Sequence, residues 1–567
     1  MKKNSLTTAI IAGVAGVAGL AGVAHAVNLN PDGIGQVLLY PYYTTNGGNS
    51  TLISVVNTSD IGKAVKVRFL ESLNSKEVLD FNLYLSPFDV WTANVHDNGG
   101  VPGIRTSDTS CIAPNKVMTE FTAFRDYEFK NWRPDLLGRT TTGDAPAINE
   151  SRMRQGHIEI IEMGDLGGDA HRYSLHDRDG VPEDCTYFHN QWTSYAAGTW
   201  LTETGGLVDQ PNYNRGRHDV HPPGSGYIDE ITGERLFGER GGPGGIFGSA
   251  YIVNGAEGTS YSYNAEAING FYTIGFVDTG VAEDNNLHFA PGTIRPALYD
   301  ATNAFDGTDY YAFARVFDST GNPYDLAWVR DDAPNAVSAV LSARHVSNEY
   351  SIGGATSAVS DWVVTFPTKE LHTYRNVGEP GLAPFSAPQG RGSLNSAGLN
   401  EFEGFWAEQF TMNYWDREEG EPSAPPGVLD VSPLPPPGEV QVLAFRQEAN
   451  VLTFFTEGTA PEDRENVLAA PLGIWGGGYQ VALEEGFNNG WARISFASQS
   501  MTSENITVGS DTYVAHELTG LPVIGFWAAK HTNHAAAEGV SAFYNLIHRH
   551  RVTRDIQVAP PAPAPVP

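Results

Sequence analysis

The fold is decided by four short runs of sequence between residues 36 and 85, QVLLYPYYT (36–44), TLISVVN (51–57), AVKVRFL (64–70) and EVLDFNLYL (77–85). β-Branched and aromatic residues dominate each run, and turn-forming Asn, Gly, Ser and Asp residues separate the runs. This pattern predicts four strands joined by short turns, which pair in an antiparallel sense. In the third run, apolar residues at 65, 67 and 69 alternate with Lys66 and Arg68, which predicts one buried face and one face in water.

Further along the chain, shorter patterns of the same kind predict more strands, and Trp91 is expected to open a fifth one. The fold class is therefore mainly β, with antiparallel, immunoglobulin-like β-sandwich units, long irregular loops and a few short helices. Helices are predicted at 264–269 and from Ala333 or Pro334 through Leu341, the second one capped by Asp332. Later strands are predicted at 157–163, 249–254, 271–277, 310–317, 361–366, 440–445, 451–456, 479–483, 492–497 and 523–527.

Changes in composition divide the chain into six segments. A run of prolines between residues 421 and 439 cannot join a β-ladder, so it predicts a spacer or a stiff surface loop. Alternating alanine and proline at the C-terminus predict a disordered tail. The segments are a signal peptide (1–26), an N-terminal β-sandwich region (27–98), a central β-rich region with long loops (99–420), the proline-rich segment (421–439), a C-terminal β-rich region (440–555) and the tail (556–567).

The first 26 residues have the three parts of a secretory signal peptide. Lys2 and Lys3 form a positive start, residues 6–23 are apolar or small, and an A-x-A cleavage motif follows at 24–26. We therefore expect a protein that is exported across the inner membrane to the cell surface or the extracellular space, with the periplasm left open. No later segment is apolar over the roughly 18 residues that a membrane span requires, so no transmembrane anchor is expected after signal removal.

The charge of the chain excludes one class of partner. There are 66 acidic and 35 basic side chains, which gives a formal net charge of -31. Such a chain repels the phosphates of nucleic acids, so nucleic acid is not an expected partner. The same acidity keeps a protein soluble outside the cell and does not by itself indicate a cation site.

The two cysteines predict a single disulfide. Cys111 and Cys185 are the only cysteines in the chain, so zinc ribbons, iron–sulfur clusters and C-x-x-C-H haem attachment are excluded. In an oxidising compartment two cysteines most simply pair with each other. We therefore predict a bond between Cys111 and Cys185.

Several stretches resemble a group of exported bacterial proteins that are labelled cell-surface or hypothetical proteins. They are NLNPDG (28–33), GQVLLYPYY (35–43), SVVNT (54–58), KAVKVRFLE (63–71), DWVVTFPTK (361–369) and GLPVIGF (520–526). The stretches come from both ends and the middle of the mature chain, so the resemblance covers most of it. It implies export and a surface location, and it brings no catalytic motif.

One acidic loop is a candidate calcium site. Asp177, Asp179, Glu183 and Asp184 lie within eight residues, and calcium prefers six to eight oxygen ligands. The loop departs from the EF-hand spacing, because valine and proline occupy positions 181 and 182, where ligands would be expected. The alternative is a solvated acidic turn. No cofactor other than calcium is expected.

Signatures of catalysis are missing from the sequence. There is no H-E-x-x-H metal motif and no G-x-S-x-G nucleophile elbow, so no catalytic residue is assigned. His548 and His550, which alternate with arginines, are expected to be exposed or at a strand edge. Aromatic residues near 187–200, including Trp192 and Trp200, are expected to be core or loop anchors, with sugar stacking as the alternative.

Together these observations favour a non-enzymatic, exported structural or interaction protein of the bacterial cell surface. It would assemble with itself or with other envelope components, as part of a surface layer or an envelope coat. The alternative is an extracellular carbohydrate-binding protein or a glycan-active enzyme, with glycans as the ligand.

Overall fold

The computed structural model describes residues 26–114, 120–126, 151–193, 220–221, 244–272, 287–293, 295–305, 309–329, 332–373, 384–385, 408–423, 427–429, 444–472, 476–508, 511–537 and 540–560. Several predictions lie outside these residues. They concern the signal peptide, most of the strands predicted at 271–277 and 440–445, most of the proline-rich segment, Trp200, the side chain of Trp192 and the tail beyond residue 560.

The first part of the chain is built of short strands. They are β1 Asn28–Leu29, β2 Val37–Thr44, β3 Ser50–Asn57, β4 Lys63–Glu71, β5 Glu77–Leu85, β6 Val90–Asn98, β7 Val101–Arg105, β8 Cys111–Ala113, β9 Thr122–Ala123, β10 Gln155–Leu166, β11 Val220–His221, β12 Ile246–Asn254, β13 Thr259–Asn264, β14 Glu266–Asn269, β15 Ala304–Phe305, β16 Tyr310–Phe317 and β17 Pro323–Val329.

The second part continues in the same way. Its strands are β18 Ser342–Ala343, β19 His345–Ser351, β20 Val359–Thr365, β21 Glu408–Gln409, β22 Thr411–Asp416, β23 Gly427–Leu429, β24 Ala444–Phe445, β25 Ala449–Thr456, β26 Gly478–Leu483, β27 Asn489–Ser495, β28 Ser500–Thr502, β29 Ile506–Val508, β30 Asp511–Tyr513, β31 His516–Thr519, β32 Leu521–Pro522, β33 Ile524–Ala537, β34 Val540–Arg549, β35 Arg551–Thr553 and β36 Asp555–Val558. The α-helices of the described residues are α1 Gly168–Ser174, α2 Thr186–Thr193, α3 Pro334–Leu341 and α4 Lys369–Thr373.

Two large sheets form a first sandwich. An eight-stranded sheet has the order β1-β14-β2-β10-β4-β5-β8, with β11 beside β10, and a six-stranded sheet has the order β13-β12-β3-β6-β7-β9. Side chains from both sheets, among them Tyr40, Ile53, Val67 and Trp91, share one core. The sandwich forms because apolar residues on facing strands point inward at every second position.

Two further sheets form a second sandwich. A four-stranded sheet has the order β22-β27-β19-β35, and a six-stranded sheet has the order β23-β26-β25-β20-β33-β34. Their inner faces meet in a core that includes Trp362, Phe454 and Ile494. All strand pairs here are antiparallel except β25 and β26, which run parallel.

The two sandwiches share part of their core. Val363, Val451 and Phe526 of the second sandwich belong to the same hydrophobic cluster as the inner residues of the first. Phe526 stacks on Tyr263 of β13, with ring centroids 4.9 Å apart. No helix in the described part of the chain is long and apolar enough to cross a membrane.

The mainly β class with antiparallel sheets and a few short helices is confirmed, and most of the predicted strands are found. The immunoglobulin-like assignment is not confirmed. β10 pairs with both β2 and β4, so a strand from residues 155–166 lies between two strands of the N-terminal region. β2 and β3, which follow each other in sequence, lie in different sheets. The first sandwich therefore includes strands from both sides of residue 98.

Three local predictions were wrong. Residues 264–269 are not a helix, because β14 (Glu266–Asn269) pairs with β1 and β2, and tertiary pairing overrides the weak helix preference of so short a run. Helix α3 is found, but Ala333 and not Asp332 is its N-cap. The face of β4 that carries Lys66 and Arg68 is buried, not in water, because distant segments cover it.

Candidate interaction surface

The predicted disulfide is present. Cys111 in β8 and Cys185, which immediately precedes α2, are joined, and their Cα atoms are 5.0 Å apart. The bond holds α2 against the outer face of the eight-stranded sheet, where Phe188 stacks on Tyr84 with ring centroids 4.0 Å apart. Phe188 is thus a core anchor. The disulfide therefore holds α2 over a sheet face that would otherwise be exposed to solvent.

The acidic loop uses its carboxylates for local contacts. Oδ1 of Asp177 accepts hydrogen bonds from the backbone N–H groups of Asp179 at 2.8 Å and of Val181 at 3.0 Å. These backbone hydrogen bonds lower the pKa of Asp177. Asp184 Oδ1 accepts the N–H of Thr186 at the start of α2. The loop therefore has the geometry of a self-supporting turn.

The other two candidate calcium ligands are Asp179 and Glu183. Asp179 is exposed, and Oε1 of Glu183 lies 3.6 Å from Nε of Arg172. Within the described ranges, no set of three or more His, Cys, Asp or Glu side chains is placed to hold a metal ion. Calcium binding by Asp177, Asp179, Glu183 and Asp184 stays a prediction.

A network of buried ion pairs lies on β4 and β10, and sequence patterning did not indicate it. Nζ of Lys63 lies 2.7 Å from Glu162 and 2.6 Å from Asp165. Burial raises the pKa of Glu162 to about 7, and the neighbouring Asp165 carboxylate adds to that effect. Arg68 binds Glu77 and Glu159, each at 2.8 Å. These contacts join neighbouring strands and neutralise charges that the fold has removed from water.

A second polar contact resembles the nucleophile–base pair of a hydrolase. Oγ of Ser338 in α3 lies 2.7 Å from Nε2 of His372 in α4, and it donates a hydrogen bond to Thr368 at 2.9 Å. All three residues are fully buried. A nucleophile needs a substrate beside it, and Ser338 lies inside an apolar helix with buried neighbours on both sides. We interpret the contact as a structural link between the two helices.

The hairpin of β33 and β34 carries four of the large apolar side chains that are exposed in the described part of the molecule. The two strands pair from Phe526 opposite Arg549 outward to Ala537 opposite Val540. At the base the hairpin is anchored firmly, because Trp527 is buried and donates a hydrogen bond to Ser360 at 3.0 Å. Arg549 also forms an ion pair with Glu266 of β14 at 2.6 Å.

The outer half of β34 is an uncovered sheet edge. Among the described strands, β34 pairs only with β33 and ends its six-stranded sheet. Its large apolar side chains are exposed on both faces: Val540 by 52 %, Phe543 by 47 %, Tyr544 by 52 % and Leu546 by 39 %. Natural proteins usually protect such edges with charges, prolines or bulges, because the unpaired backbone groups recruit another strand. Between Val540 and Ile547, β34 has no charged residue and no proline, and the pairing with β33 has one irregularity, between Asn533 opposite Ala542 and Ala537 opposite Val540.

The hairpin also differs in charge from the rest of the chain. Its strands, IGFWAAKHTNHAAA (524–537) and VSAFYNLIHR (540–549), contain no Asp or Glu, although the whole chain has 66 of them. Lys530 is near Glu257 at 3.3 Å and Glu465 at 3.7 Å. The exposed edge of β34 is therefore nearly neutral, and charge repulsion does not keep another strand away.

Comparison with known proteins returned no match: no family model, no curated protein and no solved structure matches this chain. Its function must therefore be argued from the molecule itself.

Sequence patterning found only the base of this hairpin, as the strand predicted at 523–527. The sequence also contains a signal for the outer part of the hairpin. Two strand-like runs are separated by the two residues Glu538 and Gly539, which is the spacing of a tight hairpin. The alanines at 535–537 obscured the first run, since alanine is a weak strand former.

Proposed function

We propose that this protein is an exported structural protein of the bacterial cell surface that assembles with further copies of itself through the edge of β34. The observation that carries the proposal is the apolar edge of that strand, which has no charged residue or proline between Val540 and Ile547 and is exposed on both faces. Pairing of this edge with a strand of another copy would satisfy its open backbone groups and bury its aromatic side chains.

The sequence of β34 is complementary to itself in an antiparallel arrangement. If two copies pair about a centre at Asn545, Leu546 of one copy lies opposite Tyr544 of the other, and Phe543 lies opposite Ile547. Arg549 then lies opposite Ser541, so no two like charges meet. Such a two-fold contact is isologous and produces a dimer, and an extended coat would need a second contact elsewhere.

Three observations support an exported, surface-exposed setting. The N-terminal segment has the composition of a signal peptide. The disulfide between Cys111 and Cys185 suits an oxidising compartment. The stretches quoted above resemble exported bacterial surface proteins.

The test is the mass in solution of the mature chain, residues 27–567, measured by sedimentation velocity over a concentration series, at low and high salt, with and without calcium. We expect concentration-dependent dimers. Leu546→Lys and Tyr544→Glu should each produce monomers, because each introduces an unpaired charge into the contact. Mixing the two variants should restore a heterodimer, since the introduced lysine of one copy and the introduced glutamate of the other lie opposite each other. Val514→Lys, at a site 49 % exposed and outside the hairpin, is the control and should dimerise normally.

A wild-type chain that remains monomeric under all of these conditions would overturn the proposal. So would dimers that persist in Leu546→Lys and Tyr544→Glu, because they would place the contact on another surface. Circular dichroism melting of each variant shows whether the substitution has left the fold intact.

A further inference from the structure

The four-stranded sheet of the second sandwich carries two tryptophans and two arginines on the face that points away from its core. Its inner side chains, such as Tyr414 and Ile494, are buried. The outward residues alternate with them and are exposed or partly exposed. We name this surface the tryptophan–arginine face and define it by Ser347, Glu349, Asn413, Trp415, Trp491, Arg493 and Arg551. Glu349 is exposed and lies opposite Trp491, in the row next to the arginines.

The two tryptophans are neighbours across strands. Trp415 of β22 lies directly opposite Trp491 of β27, and the rings stack with centroids 4.2 Å apart at an interplanar angle of 16°. Nε1 of Trp415 donates to Glu421 at 3.2 Å, which orients the ring. Both rings remain partly exposed, although a tryptophan ring is among the costliest side chains to leave in water. Two stacked and partly exposed rings of this kind offer a flat apolar surface on which the ring of a ligand can stack.

The arginines lie in the next row of the same face. Cζ of Arg493 is 5.1 Å from the ring centroid of Trp491 and 5.3 Å from that of Trp415. Ser347 of β19 lies opposite Arg493 on one side and Arg551 of β35 on the other. Within the described part of the chain, neither Arg493 nor Arg551 forms an ion pair. In a chain with 66 carboxylates, two unpaired guanidinium groups in one row are an open site for an external anion.

The geometry points to an acidic polysaccharide, a chain of uronate sugars, as the ligand of the tryptophan–arginine face. The C–H face of a pyranose ring fits against the π face of an exposed tryptophan, and carboxylates pair with guanidinium groups in a bidentate manner. Arg493 and Arg551 are two strand spacings apart, about 10 Å, which approximates one disaccharide in an extended chain. Asn413 lies opposite Arg493 and is exposed, so its amide can meet sugar hydroxyls.

Single-stranded nucleic acid also combines stacking rings with anions, and it carries one charge per nucleotide as a polyuronate carries one per sugar. The formal net charge of -31 opposes both ligands and does not distinguish them. The polar neighbours of Arg493 favour the sugar chain, because the hydroxyl of Ser347 and the amide of Asn413 lie opposite it and can bind sugar hydroxyls. Competition with oligo(dT) is therefore part of the test.

The test is a titration of the mature chain with polygalacturonate and alginate oligosaccharides, followed by tryptophan fluorescence. We expect saturable binding that Arg493→Gln and Arg551→Gln each weaken at least ten-fold and that Trp415→Ala abolishes. Trp415→Phe, which keeps a ring, should bind with intermediate affinity and shows that the sheet still folds. Arg105→Gln, at an exposed arginine of β7, is the matched control and should leave the affinity unchanged.

Four outcomes would overturn the inference. They are the absence of saturable binding to both uronate oligosaccharides, equal affinity for methyl-esterified polygalacturonate, tighter binding of oligo(dT), and equal weakening by Arg105→Gln. The face does not include the edge of β34, so the inference does not depend on self-assembly. Repeating the titration with Leu546→Lys separates a failure of this site from a failure of the assembly contact.

Discussion

Two strands with similar sequence patterns have opposite surroundings. β4 and β27 both alternate apolar residues with a positively charged one, as in VKVRF around Arg68 and WARIS around Arg493. Arg68 is buried and held by two carboxylates, whereas Arg493 is partly exposed and contacts only the faces of two tryptophans. Alternation therefore tells which side of a strand faces its core, and it does not tell whether a distant segment covers the other side.

The cover on β4 comes from far away in sequence. Nζ of Lys66 donates to the carbonyl of Ala290 at 3.0 Å, and Gly292 N–H donates to Asp80 of β5 at 2.8 Å. Strands β16 and β17 and helix α3 complete the cover with apolar side chains. In the four-stranded sheet, the corresponding face keeps its tryptophans partly in water. Polar side chains on a buried sheet face need hydrogen-bond or ionic partners within the protein, whereas those on an exposed face can bind an external ligand.

The largest expected effect comes from removing the arginine of the buried face. Arg68→Met should lower the free energy of unfolding by about 4 kcal/mol, because Glu77 and Glu159 would remain in the interior without their cation. Arg493→Met should cost less than about 1 kcal/mol, since only a partly exposed cation–π contact is lost. Urea unfolding of both variants measures the difference.

A double variant sharpens this comparison. Arg68→Met combined with Glu159→Leu should recover part of the loss, because replacing both members of a buried pair removes the uncompensated charge. Equal destabilisation by Arg68→Met and Arg493→Met would show that the two faces do not differ as the structure indicates.

The second effect concerns the helix that the disulfide holds over the sheet. Replacing Cys111 and Cys185 together by alanine should lower the free energy of unfolding by about 4 kcal/mol in the chain-entropy model, because the bond spans 74 residues. Thermal melting with and without reductant measures the effect in the wild type. The double variant is its own control and should not respond to reductant, whereas a wild type that is equally insensitive would contradict the expectation.

The sequence predicted those parts of the fold that depend on local patterning. Strands β2 to β5 were found because their apolar periodicity and turn residues lie within a few positions of each other. The insertion of β10 between β2 and β4 could not be found, because the pairing joins residues that are 85 (Gly156 and Glu71) to 124 (Ile161 and Val37) positions apart along the chain and leaves no local trace. The disulfide followed from the presence of only two cysteines.

The candidate surfaces were harder to predict for the same reason. The tryptophan–arginine face depends on the register of four strands, β19, β22, β27 and β35, that are separate in sequence. The edge of β34 could be recognised from its composition only after the pairing with β33 was known. Similarly, the expectation that His550 is exposed or at a strand edge was wrong, because burial of a strand end depends on what packs against it.

The smallest of the three expected effects on stability concerns His550. This histidine is buried, whereas the nearby His548 is exposed. Its Nε2–H donates to the carbonyl of Val363 at 2.8 Å, and Nδ1 lies 3.0 Å from the Asn348 amide, which donates to it. The contact with Asn348 requires a neutral ring, because Nδ1 must accept. Burial lowers the pKa of His550 to about 4, although the hydrogen bond to Val363 opposes this shift. The unfolded chain therefore takes up the proton first as the pH falls.

The stability that the neutral His550 contributes should be fully present above about pH 6.5 and be lost as the pH falls toward 4, by about 3 kcal/mol at most. Urea unfolding between pH 4 and 8 should show this slope in the wild type and a flatter one in His550→Gln. Val552→Ala, a substitution two residues away that does not titrate, should lower stability equally at every pH. A slope that persists unchanged in His550→Gln would mean that another group, and not this covered ring, sets the acid sensitivity.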